Sequence, residues 1–384
     1  MVKESFSMNY DVCMMTSYHP YDDDRIYHKE IKTLASAGYK VILLAPAEKD
    51  EFEMDGIKII GFKRRRNLGR LITVFQMART ALKLRSKVYH FHEPELLVAA
   101  FFLRIFLKCK LIYDVHEEHA TSIPMKLKSP YIKKIVGDFI FLIERIFSRF
   151  VDHIIVVRED LIPRFTSYGC KNISIVMVCP SKEQFKYYEK RKELMSGTIT
   201  IVHEGNLDIK TRGLDKYLYA AKEVLRKYPE VRFITIGRAP KEDIEWMNSF
   251  IRENKLEDNF TFTGWIDFNK IPDFLYNADI GILLLQPISK NNMMGIPNKL
   301  FDYMAAGIPI VACNFPNISK IINECNCGLL IDPSNYLDIA KAIINLIENK
   351  EYYKKLGLNS RNCFESIYNW EVMGQKLIKI YRYL

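Results

Sequence analysis

The chain of 384 residues lacks several features that would place it in a class at once. It has no low-complexity tract and no repeat period, which excludes solenoid and fibrous architectures. No G-x-G-x-x-G follows a strand, so the fingerprint of a dinucleotide oxidoreductase is missing. The most membrane-like run, ELLVAAFFLRIFLKCKLIY, is too short and too charged to span a bilayer. The first residues hold no apolar run of signal-peptide length, so we expect a cytoplasmic protein.

Cysteine is sparse as well, with eight residues in the whole chain. Cys325 and Cys327 form a C-x-C pair, but no second pair stands at the spacing of zinc ligands. We therefore predict no structural metal. In the compartment that we expect, the cysteines should be free thiols.

Acidic residues are outnumbered, and the formal net charge is +10 with a pI of about 9.0. Such a charge suits a polyanionic partner, which includes nucleic acid, anionic lipid and phosphorylated substrates. A solvated basic surface explains the charge equally well. No nucleic-acid-binding module is apparent in the sequence, so we predict no nucleic-acid partner.

Short apolar strands alternate with helical patterns along almost the whole chain, which predicts parallel sheets covered on both faces. The alternation stops over 179–197, a polar and charged stretch that we interpret as an interdomain connection, and it restarts at ITIVHEG. The pattern therefore predicts an α/β protein with two doubly wound units. Ligands bind outside the carboxyl ends of the strands in such sheets, and the cleft between two units is the default site.

Six motifs, in order along the chain, carry a resemblance to a known family. They are YHPYDDDRIYHKEIKTLASAGYKVILLAPA, HEPELL, YDVHEE, HEGNLDIKTRGLDKYLYA, FTGWIDFNKIPDFLYNADIGILLL and NKLFDYMAAGIPIVACNFPNI. Together they resemble glycosyltransferase family 4, whose members are retaining, metal-independent enzymes that use nucleotide-sugar donors. The group that builds bacterial surface polysaccharides is the most similar.

The resemblance implies the GT-B fold, in which two Rossmann-like doubly wound domains face each other across a cleft. The expected acceptor-binding domain covers 1–180, and the C-terminal helix 366–384 crosses back to it. The expected nucleotide-sugar-binding domain covers 198–365. The resemblance also implies a UDP- or GDP-linked sugar as co-substrate and no other cofactor.

The stretch NKLFDYMAAGIPIV matches the second half of a family motif in which seven residues separate two glutamates. Asp302 stands at the second glutamate, which holds the ribose hydroxyls in the family, and a carboxylate can accept two hydrogen bonds from a diol. Met294 replaces the first glutamate, the acid that faces the donor sugar. Gly295, Asn298 and Lys299 lead into a helix whose N-terminal N–H groups favour phosphate. Alternatively, Asn298 is an ordinary cap and Asp302 a solvated first-turn acid.

In the family, a glycine turn and a basic residue before a second glycine bind the pyrophosphate. Gly205 matches the turn, and Arg212 matches the basic residue. A guanidinium can donate two parallel hydrogen bonds to phosphate oxygens. Asn206 stands where the family has a further basic residue, and Lys210 is a candidate for that charge. The alternative is a surface arginine before a helix.

Two later strands end in Gly237-Arg238 and in Gly264-Trp265, where the resemblance places the nucleotide base. Glycine allows close backbone approach by a ligand. Turn glycines also occur without any ligand, and that alternative stays open.

In the first domain, family members carry a histidine that faces the sugar, and His116 of YDVHEE matches it. A neutral histidine can hydrogen-bond a donor hydroxyl and assist the acceptor; a structural histidine at a strand end is the alternative. Glu117, Asp24 and Arg25 are candidates for the acceptor side. We interpret the aspartates of DDDRIYHKE as helix-start acids and not as a metal motif.

His90, His92 and Glu93 of YHFHEPE have the composition of metal ligands. We expect strand alternation to direct them to opposite faces, which would prevent them from sharing an ion.

The resemblance implies that His116, Arg212 and Lys299 carry the catalysis, with the two cations stabilising the leaving diphosphate in place of a metal. No carboxylate is placed as a nucleophile, which fits a front-face route in which the leaving phosphate helps to deprotonate the acceptor. The alternatives are a nucleotide-sugar epimerase of the same fold and a non-enzymatic basic protein that binds membrane or nucleic acid.

Basic clusters in the expected acceptor domain suggest contact with the anionic inner face of a membrane, where a lipid-linked acceptor would arrive. Solvated basic loops are the alternative. The residues are Lys63, Arg64, Arg65, Arg66, Arg70, Lys126, Lys128, Lys133 and Lys134.

Overall fold

The computed structural model describes residues 10–65, 69–118, 120, 129–188 and 197–384. Arg66, Lys126 and Lys128 of the basic clusters lie outside these ranges, as do residues 189–196 of the expected connection. The chain divides into two compact units. The first comprises Met1–Val178 with Met373–Leu384, and the second comprises Cys179–Val372.

An eight-stranded sheet forms the centre of the first unit, in the order β3-β4-β2-β1-β5-β6-β7-β8. Every neighbouring pair is parallel except β3 with β4. The strands are β1 Val12–Met15, β2 Val41–Pro46, β3 Glu51–Met54, β4 Ile57–Phe62, β5 Val88–Phe91, β6 Lys110–Val115, β7 His153–Val156 and β8 Ile173–Ile175.

The antiparallel hairpin of β3 and β4 was not predicted. Its turn is Asp55-Gly56, and both residues have positive φ, at 50° and 77°, as a two-residue hairpin turn requires. The Asp-Gly pair was therefore a usable signal. It was missed because β3 is only partly buried, so its sequence shows no apolar run.

Helices cover both faces of this sheet. A π-helical segment, Asp24–Ile31, continues as the α-helix Lys32–Ser36. The other helices are Gly69–Leu84, Leu96–Phe106, Pro130–Phe147 and Ile162–Ser167, with short 3-10 turns at Ser148–Phe150 and Glu159–Leu161. Among the described residues, no helix has the length and hydropathy needed to cross a membrane.

The second unit has a wholly parallel six-stranded sheet in the order β11-β10-β9-β12-β13-β14. The strands are β9 Thr200–Glu204, β10 Arg232–Ile236, β11 Phe260–Phe262, β12 Ile280–Leu283, β13 Ile310–Cys313 and β14 Gly328–Ile331. The α-helices are Ile209–Arg212, Leu214–Lys227, Lys241–Glu253, Ile271–Leu275, Lys290–Met294, Lys299–Ala305, Pro316–Cys325, Tyr336–Glu348 and Lys350–Ser366. Two 3-10 turns, Glu257–Asn259 and Phe268–Lys270, complete the unit, and the final helix is Trp370–Arg382.

The expectation that all the cysteines are free thiols is wrong. Cys325 and Cys363 form a disulfide with their Cα atoms 5.9 Å apart, and the other six cysteines, all among the described residues, are not disulfide-bonded. The bond joins the ends of helices Pro316–Cys325 and Lys350–Ser366. The partners are 38 residues apart, so only tertiary packing brings them within bonding distance.

Each sheet reverses its winding at one place. In the first unit the chain runs outward from β1 through β2 and β4 and returns to β5, beside β1. In the second unit it runs from β9 through β10 and β11 and returns to β12, beside β9. Ligands of doubly wound sheets bind at the carboxyl ends of such neighbouring strands. The topology therefore predicts ligand-binding residues directly after β1 and β5 in the first unit, and directly after β9 and β12 in the second.

Candidate functional site

Three strands of the second sheet end in glycine turns that contact one another. The Gly205 N–H donates to the Ile236 carbonyl at 2.8 Å, and the Gly237 N–H donates to the Gly264 carbonyl at 2.9 Å. Gly237 has a φ of 137°, and a Cβ there would lie 1.8 Å from the Gly205 oxygen. No other residue fits at Gly237. The predicted donor residues Gly205 and Gly237 are thus in backbone contact with each other at the carboxyl edge of the sheet.

Arg212 is positioned by a turn that requires glycine. It ends the helix Ile209–Arg212, which the Asp208 carboxylate caps. Gly213 follows with a φ of 64°, and a Cβ there would lie 2.3 Å from the side-chain nitrogen of Gln286. Gln286 follows β12, so the turn that carries Arg212 packs against the switch point of the sheet.

Lys299 is a buried cation at the same switch point. Its side chain is only 7% exposed, and its Nζ donates to the Glu204 carbonyl at the end of β9, at 2.6 Å. Burial, and after it the charge of the nearby Arg212 guanidinium, lower the pKa of Lys299 to about 7. Two neighbouring cations repel each other, so an anionic ligand bound between them would stabilise both.

Glu204 is a site residue that the sequence analysis missed. Its side chain is buried, and burial raises its pKa well above the usual range, with a further rise from a hydrogen bond to Asp302 and from that acid's charge. Glu204 therefore holds its proton more tightly than an ordinary glutamate does, and it shares a hydrogen bond with Asp302. Its only sequence signal was its place as the last residue of the strand before a turn glycine.

The pairing of Glu204 with Asp302 tests the alternative in which Asn298 is an ordinary cap of the helix Lys299–Ala305 and Asp302 is a solvated acid. Asp302 is half-buried and pairs with Glu204, so it is not a freely solvated acid. Within the described part of the chain, the Asn298 side chain makes no capping hydrogen bond. The ordinary-cap interpretation of Asn298 is therefore wrong, and its side chain is exposed.

Tyr303 fixes this helix against the sheet, one turn after Lys299. Its hydroxyl accepts a hydrogen bond from the Glu204 N–H and donates one to the Ile282 carbonyl, each at 3.1 Å. Its ring covers Gly281, where a Cβ would lie 2.6 Å from the ring. Lys299 and Tyr303 share one helix face, so the anchor also positions the lysine.

The other predicted donor residues lie along the same carboxyl edge. The Arg238 guanidinium stands 5.1 Å over the ring of Trp265, which is 62% exposed. Asn206 is exposed, Met294 is half-buried, and the Met294 carbonyl accepts a hydrogen bond from a nearby amide at 2.7 Å. Gly295 follows directly. The structure does not bring Arg238 or Trp265 into a described contact with Lys299.

In the first unit, Arg25 is buried in an ionic cluster. One guanidinium nitrogen donates to both oxygens of Asp114, at 2.6 and 2.8 Å, and Nε lies 2.7 Å from Glu30. Burial opposes ionisation of Asp114, but Arg25 holds its pKa well below the usual range. Asp24, by contrast, is exposed and pairs with Lys29.

The aspartates at the start of this segment begin a helix, as predicted. Asp23 is the N-cap, and its carboxylate accepts from the N–H groups of Arg25 and Ile26, each at 3.0 Å.

His90 and His92 do not point to opposite faces, and that expectation is wrong. Residues two apart share a face of a strand, and the rings stack with centroids 4.8 Å apart. Ligand atoms of His90, His92, Glu30 and Asp114 all lie within 4.8 Å of one another. These four residues have the donor set for a cation. Arg25 already pairs with both carboxylates, so a metal ion would have to compete with it.

The geometry assigns a tautomer to His116. His92 Nε2 lies 3.1 Å from the sulfur of Met14, which carries no hydrogen, so Nε2 of His92 is the donor. His92 Nδ1 must then accept, and His116 Nε2 donates to it at 2.9 Å. Burial lowers the pKa of both histidines well below the usual value and keeps them neutral. His116 therefore retains a lone pair on Nδ1, and Glu117 follows it, half-buried.

Two family models match the chain. The model described as Glycosyltransferase Family 4 matches residues 25–181, and the model described as Glycosyl transferases group 1 matches residues 198–349. Together they cover most of the chain and include every predicted site residue except Asp24.

Curated relatives carry the same activity in their names. An uncharacterized glycosyltransferase of Methanocaldococcus jannaschii is 24% identical over 98% of this chain and 91% of its own. The 2-deoxystreptamine N-acetyl-D-glucosaminyltransferase of Niallia circulans is 25% identical, with 69% and 67% covered. The chitobiosyldiphosphodolichol beta-mannosyltransferase of Kluyveromyces lactis is 19% identical, with 86% and 80% covered. None of these names describes an epimerase or a non-enzymatic binding protein.

Solved structures establish the fold. The sucrose-phosphate synthase of Thermosynechococcus elongatus aligns with a TM-score of 0.74 at 16% identity, over 97% of this chain and 98% of that one. The Anabaena protein HepE in complex with UDP aligns with a TM-score of 0.73 at 14% identity, over 97% and 100%. These neighbours have the GT-B fold, as predicted. With both halves of the chain matched by glycosyltransferase models, the protein belongs to glycosyltransferase family 4.

Proposed function

We propose that this glycosyltransferase moves a sugar, with retention of configuration and without a metal, from a UDP- or GDP-linked donor to a saccharide or lipid-linked acceptor. The product would serve cell-surface polysaccharide synthesis. The observation that carries the proposal is the cation pair of Arg212 and Lys299 at the switch point of the second sheet. Support also comes from relatives named for sugar transfer to an aminocyclitol and to a dolichol-linked sugar, and from a structural neighbour that holds UDP and glucose.

In this proposal the second unit binds the donor. The glycine turns at Gly205 and Gly237 admit the nucleotide, and Asp302 accepts hydrogen bonds from the ribose hydroxyls. The hydrogen bond that Glu204 shares with Asp302 orients this carboxylate. Arg212 and Lys299 contact the diphosphate, which gains negative charge as it leaves.

The chemical step needs no protein nucleophile. The bond between the anomeric carbon and the diphosphate oxygen breaks while the acceptor oxygen bonds to the same face of that carbon. The acceptor proton passes to the departing phosphate. Fixed cations aimed at the leaving oxygen are the largest protein contribution to such a step. The Nδ1 lone pair of His116 accepts a hydrogen bond from a donor hydroxyl, and Met294 leaves the sugar without the acid that the family places there.

Transfer should persist in excess EDTA, because the two cations take the place of a divalent ion on the diphosphate. A panel of UDP- and GDP-sugars, each assayed with a saccharide acceptor before and after chelation, checks this. Activity that disappears on chelation and returns with manganese or magnesium would reject the metal-free mechanism.

Arg212→Ala should lower kcat/KM by about 10²–10³-fold, by analogy with the loss of one oxyanion donor. Arg226→Ala is the matched control, because this arginine belongs to the same unit, is exposed and pairs only at the surface with Glu223. The control should retain wild-type rates. Equal rates in the two variants would remove Arg212 from the site.

His116→Ala should slow transfer by about 10²-fold or more while the affinity for the nucleoside diphosphate stays unchanged. His116 belongs to the first unit, and the proposed diphosphate ligands belong to the second. Isothermal titration beside the transfer assay separates the two effects, and His153→Ala, a half-buried histidine on β7 bonded to Ser174, is the control. A large loss of nucleotide affinity in His116→Ala would contradict the assignment of donor binding to the second unit.

A further inference from the structure

The helix Pro130–Phe147 presents apolar side chains in two directions. One set packs toward the core of the first unit, with Ile140 buried and Ile143 and Phe147 against the main cluster. A second set is between 41% and 83% exposed, and it comprises Tyr131, Ile132, Ile135, Phe139, Leu142 and Ile146. The exposed set recurs at spacings of three and four residues, so it forms one continuous stripe along the helix. At 1.5 Å per residue the stripe is about 22 Å long.

The neighbouring helices enlarge this apolar face. Helix Leu96–Phe106 packs beside it, and Phe101 contacts the rings of Phe147 and Phe150 with centroids 5.5 and 4.9 Å apart. Helices Gly69–Leu84 and Leu96–Phe106 also pack together, and both contribute to the same core cluster on one side of the sheet. Their outward residues are exposed as well, and these are Leu71, Ile72, Phe75, Phe102, Ile105 and Phe106. We call the exposed apolar residues of the three helices the apolar helix face.

The charges around the apolar helix face have almost one sign. The three helices contain only two acids, Asp138 and Glu144, and Glu144 is buried, where it accepts a hydrogen bond from Tyr113. Basic residues are spread over all three helices. Arg70 and Arg104 pair with the acids Glu95 and Asp152 outside the helices, and the others are Arg79, Lys83, Lys133, Lys134 and Arg145. An amphipathic surface with a basic border is the pattern of a helix that lies in the membrane interface.

We propose that the apolar helix face docks on an anionic lipid bilayer, with helix Pro130–Phe147 parallel to the membrane plane and its stripe inserted among the acyl chains. A protein partner is disfavoured by the lysines, since protein interfaces are depleted in lysine relative to the rest of the surface. A uniformly negative lipid surface complements a border in which basic residues outnumber the one exposed acid of the three helices, Asp138. The proposal rests on the proposed function only for its purpose, which is to bring the enzyme to a lipid-linked acceptor.

The inserted stripe distinguishes this surface from a merely basic one. Electrostatic attraction is screened within about 8 Å at physiological salt, whereas burial of apolar side chains is not weakened by salt. Binding to anionic vesicles should therefore fall in part as salt rises, and a salt-resistant fraction should remain. If electrostatic attraction to basic residues were the only attachment, no salt-resistant fraction of bound protein would remain.

Co-sedimentation of the full chain with vesicles of phosphatidylcholine and phosphatidylglycerol in equal amounts tests the proposal. Ile135→Ser/Phe139→Ser should weaken binding by at least about tenfold and remove the salt-resistant fraction, because each side chain loses its insertion into lipid. The matched control is Leu337→Ser/Leu358→Ser, two leucines of the second unit that are 44% and 59% exposed. The control should bind like wild type. Lys133→Glu/Lys134→Glu should instead weaken binding chiefly at low salt.

Measurements beside vesicle binding keep the outcomes distinct. Thermal unfolding and nucleoside-diphosphate affinity should be unchanged in every variant, since all the altered side chains are at the surface. Wild type that binds no anionic vesicle, or an Ile135→Ser/Phe139→Ser variant that binds like wild type, would overturn the proposal. So would a lipid-free dimer that this variant dissociates without changing vesicle binding, because the face would then join two copies. Failure of every donor in the transfer assay would reject the proposed function and leave the vesicle result standing.

Discussion

A buried lysine bound to the end of a central strand is the interaction on which the candidate site depends. Lys299 reaches the Glu204 carbonyl at 2.6 Å, and this contact joins the helix Lys299–Ala305 to β9. Tyr303 fixes the same helix one turn later, and Asp302 pairs with the Glu204 side chain between them. Burying a cation beside Arg212 is costly unless a partner compensates it. The compensation that the proposed function supplies is the diphosphate of the donor.

The site departs from its family in a consistent direction. Met294 and Asp302 stand where the resemblance places two glutamates, so in the proposed function the site has less acid toward the sugar and a shorter acid toward the ribose. Glu204 adds a carboxyl group whose pKa is raised well above the usual range, chiefly by burial. It pairs with Asp302, and the proton that it favours limits the negative charge near Lys299 and Arg212. The electrostatic balance of the site therefore still favours an anion.

The sequence predicted what local patterns encode, and it failed where distant residues meet. Strand and helix periodicity identified the two sheets, and the helix-start aspartates were confirmed at Asp23. The disulfide between Cys325 and Cys363 and the pairing of Glu204 with Asp302 depend on tertiary packing, which no local pattern records. The stacked pair His90 and His92 was a different kind of error, since the two-residue strand period already places both on one face. The apolar helix face was missed because apolar periodicity predicts a packed face and does not show that a second face stays exposed.

The central claim is that Lys299 forms the cationic part of a diphosphate site, and its own titration tests this most directly. NMR of the protein labelled at the lysine side-chain ε-carbon, with the signal assigned through Lys299→Arg, gives its pKa in the free and nucleotide-bound states. In the free protein burial should hold the pKa near 7. Saturation with UDP or GDP should raise it, because a nearby anion favours the ammonium form. A pKa close to the ordinary lysine value in the free protein, or one that neither nucleotide changes, would contradict the claim.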